Sequence, residues 1–252
     1  MLNKRESDDK KLFDDIAVNY VKKDLTSYCR IARKLRLVQS LKGIQQPIKK
    51  ILEIGCGAGF SVEYLNGKFI NYTGIDYSEN LIKYAKEHNN YKGVKFECLN
   101  VNDFDSKFKF DVVLMIGVLH HMPNPEKVIK SLSKILSPGG IIVVNEPQAG
   151  NPLIGLLRKI RKKIDDNYST DQVEFTEDEI NSMFKKCGHE TKTFAQGVLS
   201  TPLAESRILP GFIGIPLAWV TMILDPVLEK LLTILTFKKL TWNIVVHARQ
   251  KE

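Results

Sequence analysis

Ile51-Leu52-Glu53-Ile54-Gly55-Cys56-Gly57-Ala58-Gly59-Phe60 decides the fold of this 252-residue chain. Its apolar start predicts a strand over Lys50–Ile54, which the glycines end abruptly. Glycine has no Cβ, so three glycines at alternate positions allow a tight turn whose backbone lies against a ligand. A helix that begins near Phe60 would aim its free N–H groups at the same place. The stretch therefore predicts a strand, a ligand-binding turn and a helix in succession.

Strands and helices alternate from residue 48 to about residue 195. After the first strand, further strands are predicted at Tyr72–Ile75, Val94–Leu99, Phe110–Ile116, Ile141–Val144, Glu190–Ala195 and Trp242–Ala248. Good N-caps precede three of the helices, at Ser78, at Asn124 and at Thr176. The helix after Asn124 is expected to bury Leu136 and to end at Ser137–Gly140. This alternation predicts an α/β fold, with a Rossmann-like, mostly parallel sheet of seven strands and helices on both faces.

Two helical regions flank this core. Residues 1–45 are expected to form an N-terminal helical lid, because Tyr28, Ile31 and Leu35 fall on one helix face. Residues 198–240 form an apolar helical insert before the last strand. We therefore divide the chain into a lid (1–45), a core (46–197), the insert (198–240) and a last strand with its tail (241–252).

Composition limits the kinds of partner and compartment. The formal net charge of +8 favours anionic partners, such as nucleic acid, an acidic lipid surface or a phosphorylated substrate, although an inert basic surface explains it equally well. The four cysteines contain no CxxC pair and no ligand spacing with histidine, so we expect reduced thiols and no metal site. The charged N-terminus contains no apolar signal segment. We expect a cytoplasmic protein.

The ends of the predicted strands are the places to look for a ligand. In an open α/β sheet, ligands bind outside the carboxyl ends of the strands. Asp76 ends the second strand 21 positions after Gly55, about where an acidic residue accepts both hydroxyls of a ribose. No lysine followed by serine or threonine completes a P-loop, so a nucleoside triphosphate is not expected. The turn and Asp76 by themselves do not distinguish a dinucleotide from other adenosine-containing cofactors.

Five motifs in order resemble the class I S-adenosylmethionine-dependent methyltransferases of the small-molecule type. They are Glu53-x-Gly55-x-Gly57-x-Gly59, Gly74-Ile75-Asp76-Tyr77-Ser78, Phe110-Asp111-Val112-Val113, Val118-Leu119-His120-His121 and Leu136-Ser137-Pro138-Gly139-Gly140. The resemblance covers residues 48–146 closely, and 175–195 with the last strand more loosely. It implies S-adenosylmethionine as cofactor and S-adenosylhomocysteine as product.

The resemblance also implies a role for particular residues. The turn from Glu53 through Gly55, Cys56, Gly57 and Gly59 would hold the methionine part of the cofactor, and Tyr20 of the lid would close over that end. Asp76 would accept the ribose hydroxyls and Tyr77 would lie beside the adenine. Where the family usually has an aspartate facing the adenine amino group, this chain has Asn100, with Val101 next to it and Asp103 as the alternative. Ile116 and Gly117 would pass under the cofactor.

A general base is expected near the end of the fourth strand, since the resemblance favours transfer to a hydroxyl. His121 is the first choice because its position matches a histidine that is common in this family, and His120 is the second. A purely structural histidine is the competing interpretation for His121. Glu146, at the end of the fifth strand, would contact the substrate or cap a turn.

Several alternatives remain open from the sequence. The acceptor would be small or amphiphilic, and the chain lacks the Asn/Asp-Pro-Pro-Tyr motif of enzymes that methylate amino groups of nucleic acids. Because the net charge is basic, an RNA-directed methyltransferase or an RNA-binding module remains an alternative. Because Asn100 replaces the usual aspartate, a cofactor-binding scaffold without catalysis is a further alternative. Residues 209–224 carry no charge but are short and contain two prolines, which argues against a transmembrane span. The insert would cap the pocket or, with the basic run Arg158–Lys163, place a lipid or quinone methyltransferase at the inner membrane face.

Overall fold

A central strand, β1 (Ile48–Ile54), positions the glycine turn at the middle of a mixed sheet. The computed structural model describes residues 4–149, 151, 174–201, 211–235 and 237–251. In this part of the chain the other strands are β2 (Phe69–Asp76), β3 (Val94–Cys98), β4 (Phe110–Ile116), β5 (Leu136–Pro147), β6 (His189–Gln196) and β7 (Asn243–Gln250). Their order is β3-β2-β1-β4-β5-β7-β6; β7 runs antiparallel to β5 and β6, and the other neighbouring pairs are parallel. The predicted seven-stranded, mostly parallel sheet is confirmed.

Helices cover both faces of the sheet. They are α1 (Lys4–Asp24), α2 (Ser27–Ser40), α3 (Phe60–Tyr64), α4 (Glu79–His88), α5 (Pro125–Ser133), α6 (Glu177–Lys186) and α7 (Gly211–Ile234). The three predicted N-caps are present: Ser78 accepts from the N–H of Leu81, Asn124 from that of Lys127, and Thr176 forms a capping box with Glu179. These local signals placed the starts of α4, α5 and α6 correctly.

Alternate residues of the central strands bury into two separate cores. On one face, side chains such as Val113 and Val144 pack with α5 and α6. On the other face, side chains such as Leu114 and Val143 pack with α2, α3 and α4. Most residues of these strands are therefore apolar whichever face they point to, as expected for strands that are covered on both sides, and Glu53 and Asn145 are buried polar exceptions. This double coverage leaves the carboxyl ends of the strands as the place for a ligand.

The end of α5 differs from the prediction. The helix ends at Ser133, and Leu136 already pairs with Phe110 at the start of β5. The register then shifts, so that the next pair is Val112 with Ile141, and the segment Ser137–Gly140 forms an irregularity within the strand. Backbone pairing with β4 therefore overrode the helical period that extended to Leu136 in the sequence.

The predicted N-terminal lid consists of two helices with different surroundings. Leu37 and Leu41, at the end of α2, belong to the buried core on one face of the sheet. Ala17 and Val21 of α1 pack instead on Ala58 and Leu81, beside the glycine turn. Only α1 therefore has the position of a lid, whereas α2 is part of the layer that covers the sheet.

The apolar insert contains a longer helix than the sequence suggested. Both Pro216 and Pro226 lie inside α7, so neither proline ends it. In the described part of the chain, Phe212–Ile234 is the one helix that is long and apolar enough to cross a membrane by length and composition. The prediction that this region is too short was therefore wrong. The basic run Arg158–Lys163 and the insert's residues 202–210 and 236 lie outside the described residues.

Candidate functional site

A cavity opens at the carboxyl ends of β1, β2 and β4, and α1 forms its outer wall. It is lined by Phe13, Tyr20, Ile54, Gly55, Gly57, Ile75, Asp76, Tyr77, Leu81, Leu99, Asn100, Val101, Ile116, Gly117, Val118, His121 and Met122. This is the position that the strand ends predicted. The sequence left the insert either capping the pocket or contacting a membrane, and none of the described residues of α7 lines this cavity.

The glycine turn brings bare backbone to the cavity. Gly55 and Gly57 have φ values of +68° and +52°, a region that residues with a Cβ rarely adopt. A Cβ on Gly57 would meet nothing within 4 Å, so this residue leaves an open cradle. A Cβ on Gly55 would lie 2.1 Å from a methyl carbon of Val118, so this glycine also permits close packing of β1 against the turn after β4. Glycine is therefore required at the two positions for different reasons: open space for a ligand at Gly57 and close packing at Gly55.

Gly59, predicted to bind cofactor, lies behind the turn. A Cβ at this position would lie 2.7 Å from the ring of Phe96, and the residue lines neither this cavity nor the adjoining one. Its φ of +76° allows the chain to enter α3. The helix begins at Phe60 as predicted but contains only five residues, so its dipole contributes little. The role of Gly59 in this structure is packing.

Asp76 ends β2 with its carboxylate at the cavity. One carboxylate oxygen accepts from the N–H of Gly57 at 2.9 Å, and the other accepts from the N–H of Ser78 at 2.9 Å. Burial raises the pKa of Asp76, and these two backbone donors oppose that shift. Each carboxylate oxygen has a second lone pair, so the group retains acceptor capacity toward the cavity. The same carboxylate therefore fixes the glycine turn and faces the ligand space.

Glu53 and Cys56 line a second cavity, which adjoins the first across Gly55 and Gly57. The Glu53 side chain accepts from the hydroxyls of Tyr72 and Ser61. The Cys56 thiol packs beside Gly74, where a Cβ would lie 2.8 Å from the sulfur, and burial raises the pKa of this thiol well above its usual value. Cys56 is therefore a protonated packing residue at the rim of this second cavity.

The ionisation of Glu53 should make the stability of the protein depend on pH. Burial raises the pKa of Glu53 to about 7, against the hydrogen bonds from Tyr72 and Ser61. The folded state therefore holds this proton more tightly than the unfolded state, so stability falls as the pH rises from the unfolded pKa through the folded one. Ionising the buried group costs on the order of 3 kcal/mol. We expect Glu53→Gln to raise the melting temperature relative to wild type progressively between pH 5 and pH 8.

The control for this effect is Glu87→Gln, because Glu87 is an exposed carboxyl on α4. Its melting temperature should differ from wild type by the same small amount at every pH. Thermal unfolding followed by circular dichroism measures both variants. If the melting temperature of Glu53→Gln differed from that of wild type by a constant amount across this pH range, the pKa of Glu53 would not be raised by burial.

Asn100 lies at the cavity but its amide oxygen is already occupied. This oxygen accepts from the backbone N–H of Asn102 at 2.7 Å and from the Asn102 side-chain amide at 2.9 Å. Both lone pairs are therefore used, and the predicted contact with an adenine amino group has no acceptor left at Asn100. Val101 lines the cavity beside it, whereas the alternative, Asp103, is exposed and does not.

Aromatic side chains of α1 and of the segment that follows β2 form part of the cavity wall. Phe13 of α1 lies with its ring centre 6.4 Å from that of Tyr77 and 6.2 Å from that of Tyr20. Ile116 and Gly117, at the end of β4, line the cavity beneath. Tyr20, Tyr77, Ile116 and Gly117 therefore all reach the cavity, where a planar ring system would be flanked by apolar and aromatic surfaces.

His121 reaches the cavity and is paired with an acidic residue from α1. Its Nδ1 lies 3.1 Å from a carboxylate oxygen of Asp9, and both side chains are nearly buried. Burial lowers the pKa of His121, and the carboxylate of Asp9 opposes that shift. A carboxylate beside Nδ1 favours the tautomer with the proton on that nitrogen, so the lone pair lies on Nε2. This arrangement is that of a neutral imidazole prepared to accept a proton.

His120 and Glu146 do not line either cavity, contrary to their predicted catalytic roles. Glu146 accepts from the N–H groups of Val118 and Leu119 at 2.8 and 2.7 Å, and its other oxygen lies 2.6 Å from Nδ1 of His120. Burial alone would raise the pKa of Glu146, but His120 and the two backbone donors outweigh it and lower the pKa. The pair therefore fixes the turn that carries His121, and Glu146 takes the turn-capping role.

Two arginines of α2 were missed in the sequence and line the second cavity. Arg36 donates to the side chain and to the backbone carbonyl of Asn145 at 2.8 and 3.0 Å, and Arg33 pairs with Asp24 at 3.0 Å. Their cationic groups share this cavity with Glu53. The signal that could have found them is the three-residue spacing of Arg30, Arg33 and Arg36 within the predicted helical lid.

The residues present fit a cofactor that carries an amino acid, a ribose and an adenine. Gly57 leaves a cradle that a Cβ would fill, and the carboxylate of Asp76 faces that cradle. The second cavity offers cationic and anionic side chains on the far side of the turn, which suit a carboxylate and an ammonium group. The aromatic wall at Phe13 and Tyr77 suits a planar base.

Comparisons with known proteins identify the family to which the core is similar. A family model described as a methyltransferase domain matches residues 46–193. The ubiquinone biosynthesis O-methyltransferase of Thiobacillus denitrificans is 34% identical over 96 residues, which are 36% of this chain and 41% of that protein. The protein of the same name from Coxiella burnetii is 33% identical over 107 residues, which are 40% and 46% of the two chains. The matched part spans less than half the length of these curated relatives.

Solved structures share the fold along nearly the whole chain. A SAM-dependent methyltransferase from Thermotoga maritima superposes with a TM-score of 0.65 at 19% identity, covering 96% of this chain and 99% of that one. The plantazolicin methyltransferase BpumL in complex with SAH superposes with a TM-score of 0.63 at 18% identity, covering 96% and 95%. At these identities the likeness shows a common fold.

Proposed function

The chain belongs to the methyltransferase-domain family, and on that premise we propose that it transfers a methyl group from S-adenosylmethionine to an oxygen of a small or amphiphilic acceptor. One observation carries the proposal. The glycine turn, Asp76 and the His121–Asp9 pair, which are far apart in the sequence, line or adjoin a single cavity. A cofactor cradle and a neutral imidazole are therefore brought together.

The cofactor would be held by the residues that line the two cavities. Asp76 would accept the ribose hydroxyls, the backbone at Gly57 would lie along the methionine part, and Tyr77 would flank the adenine. Arg36 and Glu53 would meet the carboxylate and the ammonium group in the second cavity. When bound, the cofactor would supply an electrophilic methyl group, which a nucleophile attacks in line while S-adenosylhomocysteine leaves.

His121 would act on the acceptor. Its Nε2 would take the proton of an acceptor hydroxyl as the oxygen attacks, so that His121 becomes an imidazolium. Asp9 would hold the ring in the required tautomer and stabilise the positive charge, which makes it a positioning residue. Because Asp9 belongs to α1, the base is complete only when this helix lies over the cavity.

Transfer to oxygen on a small or amphiphilic acceptor is supported by two observations. The curated relatives are named ubiquinone biosynthesis O-methyltransferases, so the acceptor atom in those proteins is an oxygen. The described lining of the cavity also combines apolar side chains with the imidazole of His121, which can act as a base, and contains no lysine or arginine. We further propose a cytoplasmic location, with contact to the inner face of a membrane.

An RNA acceptor is less well supported than a small molecule. The wall of the cavity formed by α1 presents Glu6 toward Asn100, Asp9 toward His121 and Asp14 toward Ser78. The described residues that line the cavity include Asp76 and no lysine or arginine, so the lining offers phosphate groups no cationic partner. The +8 charge therefore does not translate into a basic groove at the cavity.

The experiment that tests the function is isothermal titration calorimetry of the purified chain with S-adenosylhomocysteine, followed by transfer assays with phenolic and prenylated phenolic acceptors. Saturable binding and O-methylation of either acceptor class would support the proposal. A failure to bind S-adenosylhomocysteine would overturn the proposal. Binding of S-adenosylhomocysteine with methyl transfer only to RNA would show that the acceptor is RNA rather than a small molecule.

Replacing His121 by alanine is expected to lower kcat by about 10²- to 10⁴-fold, because a positioned base contributes this much to proton transfer. Asp9→Asn should lower kcat less. It should also move the acidic limb of the pH–rate profile to lower pH, because the Asp9 carboxylate holds the pKa of His121 up. Rates measured with saturating cofactor between pH 5 and pH 9 give both quantities.

The matched control is His88→Ala, since His88 is an exposed histidine that stacks on Tyr84 outside the cavity. It should leave the rate and the pH profile unchanged. An unaltered rate for His121→Ala would remove His121 as the base. An acidic limb that does not move in Asp9→Asn would reduce Asp9 to a structural contact.

A further inference from the structure

The helix α7 has its polar and apolar faces arranged opposite to those of an ordinary surface helix. Its buried residues are Gly214, Ala218, Thr221 and Asp225, which recur every three or four positions and therefore share one face. These inward residues are small or polar. The bulky apolar side chains point outward, with exposed fractions that reach 79% at Phe212 and 73% at Ile223.

The inward face is fixed to the body of the protein by specific contacts. Gly214 lies against the ring of Tyr28, where a Cβ would be 3.0 Å away. Asp225 accepts from the N–H groups of Leu199 and Ser200 at 2.8 and 3.0 Å. Glu229 accepts from the N–H of Gly197 at 2.7 Å. Both acidic residues of the helix are therefore used to hold α7 along the surface of the domain.

The outward face is continuous and has no charge over most of its length. Its exposed large apolar residues are Phe212, Ile213, Leu217, Trp219, Val220, Ile223, Leu224, Val227, Leu231 and Ile234. Between Phe212 and Val227 the sequence contains one charged residue, Asp225, which is completely buried. Single exposed apolar residues are ordinary on a protein surface, but a contiguous stripe of this length marks an interaction surface.

We propose that α7 docks in the plane of an anionic lipid bilayer, with this stripe in the acyl–headgroup boundary. A second copy of the chain fits less well, because a protein interface carries about one hydrogen bond per 100–200 Å², and from Phe212 to Val227 the indole N–H of Trp219 is the one exposed hydrogen-bonding side-chain group on the stripe. A lipid surface needs none. Trp219 on the stripe is of the type that favours the membrane interface.

Charge and attachment define the orientation. Lys230 is exposed on the last turns of α7 and Lys239 follows just after it, on a chain with a net charge of +8. These positions suit anionic headgroups beside the apolar stripe. The contacts of Asp225 and Glu229 hold the helix against the domain, so it lies on the membrane rather than crossing it. The biological role of this docking rests on the proposed function, because docking would bring the enzyme to an amphiphilic acceptor.

Vesicle flotation with the full chain tests the proposal. We expect wild type to float with vesicles of phosphatidylcholine containing one-third phosphatidylglycerol, and less with pure phosphatidylcholine. The triple variant Trp219→Ser, Ile223→Asn, Val227→Ser should partition about tenfold or more weakly, because it removes three outward apolar side chains. The control is Ile70→Ser with Phe108→Ser, which removes exposed apolar residues away from α7 and should float like wild type.

Three results would overturn the docking: no flotation of wild type, equal flotation of the triple variant, or equal loss in the control. A dimer of wild type that becomes monomeric in the triple variant, without vesicle binding, would assign the stripe to a second copy instead. Calorimetry with S-adenosylhomocysteine on the same preparations separates the two proposals. Cofactor binding that persists in a protein that does not float would reject the docking and leave methyl transfer standing.

Discussion

Asp76→Ala is expected to weaken the binding of S-adenosylhomocysteine by about 100-fold or more, as measured by isothermal titration calorimetry. The carboxylate would accept two ribose hydroxyls, and a hydrogen bond to a charged group is worth about 1.5–3 kcal/mol. The substitution also removes the acceptor for the N–H groups of Gly57 and Ser78, which loosens the cradle itself. Both effects act on the same ligand.

The matched control for this prediction is Asp111→Ala. Asp111 also accepts a backbone N–H, that of Lys50 at 2.8 Å, but it lies near the amino ends of β1 and β4, away from the cavity. We expect a comparable loss of stability and an unchanged affinity for S-adenosylhomocysteine. If Asp76→Ala bound the ligand as tightly as Asp111→Ala, the cavity would not be the cofactor site.

Gly55→Ala is expected to destabilise the fold by about 2–5 kcal/mol, because it combines overpacking with a left-handed backbone. The new Cβ would lie 2.1 Å from a methyl carbon of Val118, at a φ of +68°. Val118 adjoins the Glu146–His120 pair that fixes the turn after β4, so this side chain has little freedom to retreat. Urea unfolding followed by circular dichroism gives the change in the free energy of unfolding.

Gly57→Ala isolates the contribution of the backbone. Its φ of +52° imposes the same kind of strain, but a Cβ there meets nothing within 4 Å. We expect a loss of only about 1–2 kcal/mol in stability, together with a strong loss of affinity for S-adenosylhomocysteine because the methyl group occupies the cradle. Equal stabilities of the two alanine variants, or normal ligand binding by Gly57→Ala, would contradict this division of roles.

The local elements could be predicted because their causes are local. The continuous apolar run of β4, the N-caps at Ser78, Asn124 and Thr176, and the breaking of β1 by glycine all depend on residues within a few positions of one another. Parallel strands also place their carboxyl ends on one edge of the sheet, so Asp76 and the turn could be assigned to one site from the sequence. Where a pairing partner was distant, as at Leu136, the local pattern failed.

The chemical roles of individual side chains depended on contacts between remote segments. His121 meets Asp9, which is 112 positions away, and Arg36 meets Asn145, which is 109 positions away. His120 and His121 are neighbours in sequence, yet one is bound to Glu146 behind the cavity and the other faces it. Nothing in the residue types distinguishes the two, because burial and partner decide which imidazole can accept a proton.

By itself, the sequence determined the α/β fold, the glycine turn, Asp76 and the likeness to a methyltransferase, because backbone preference and the period of burial are written in neighbouring residues. Only the tertiary structure decided that α1 carries the partner of His121, that Gly59 and Glu146 serve packing and turn geometry, and that α7 points its apolar side outward. These features depend on which surfaces meet when the chain closes on itself. A linear pattern records the polarity of a face, and the packing of distant elements determines whether that face is turned inward.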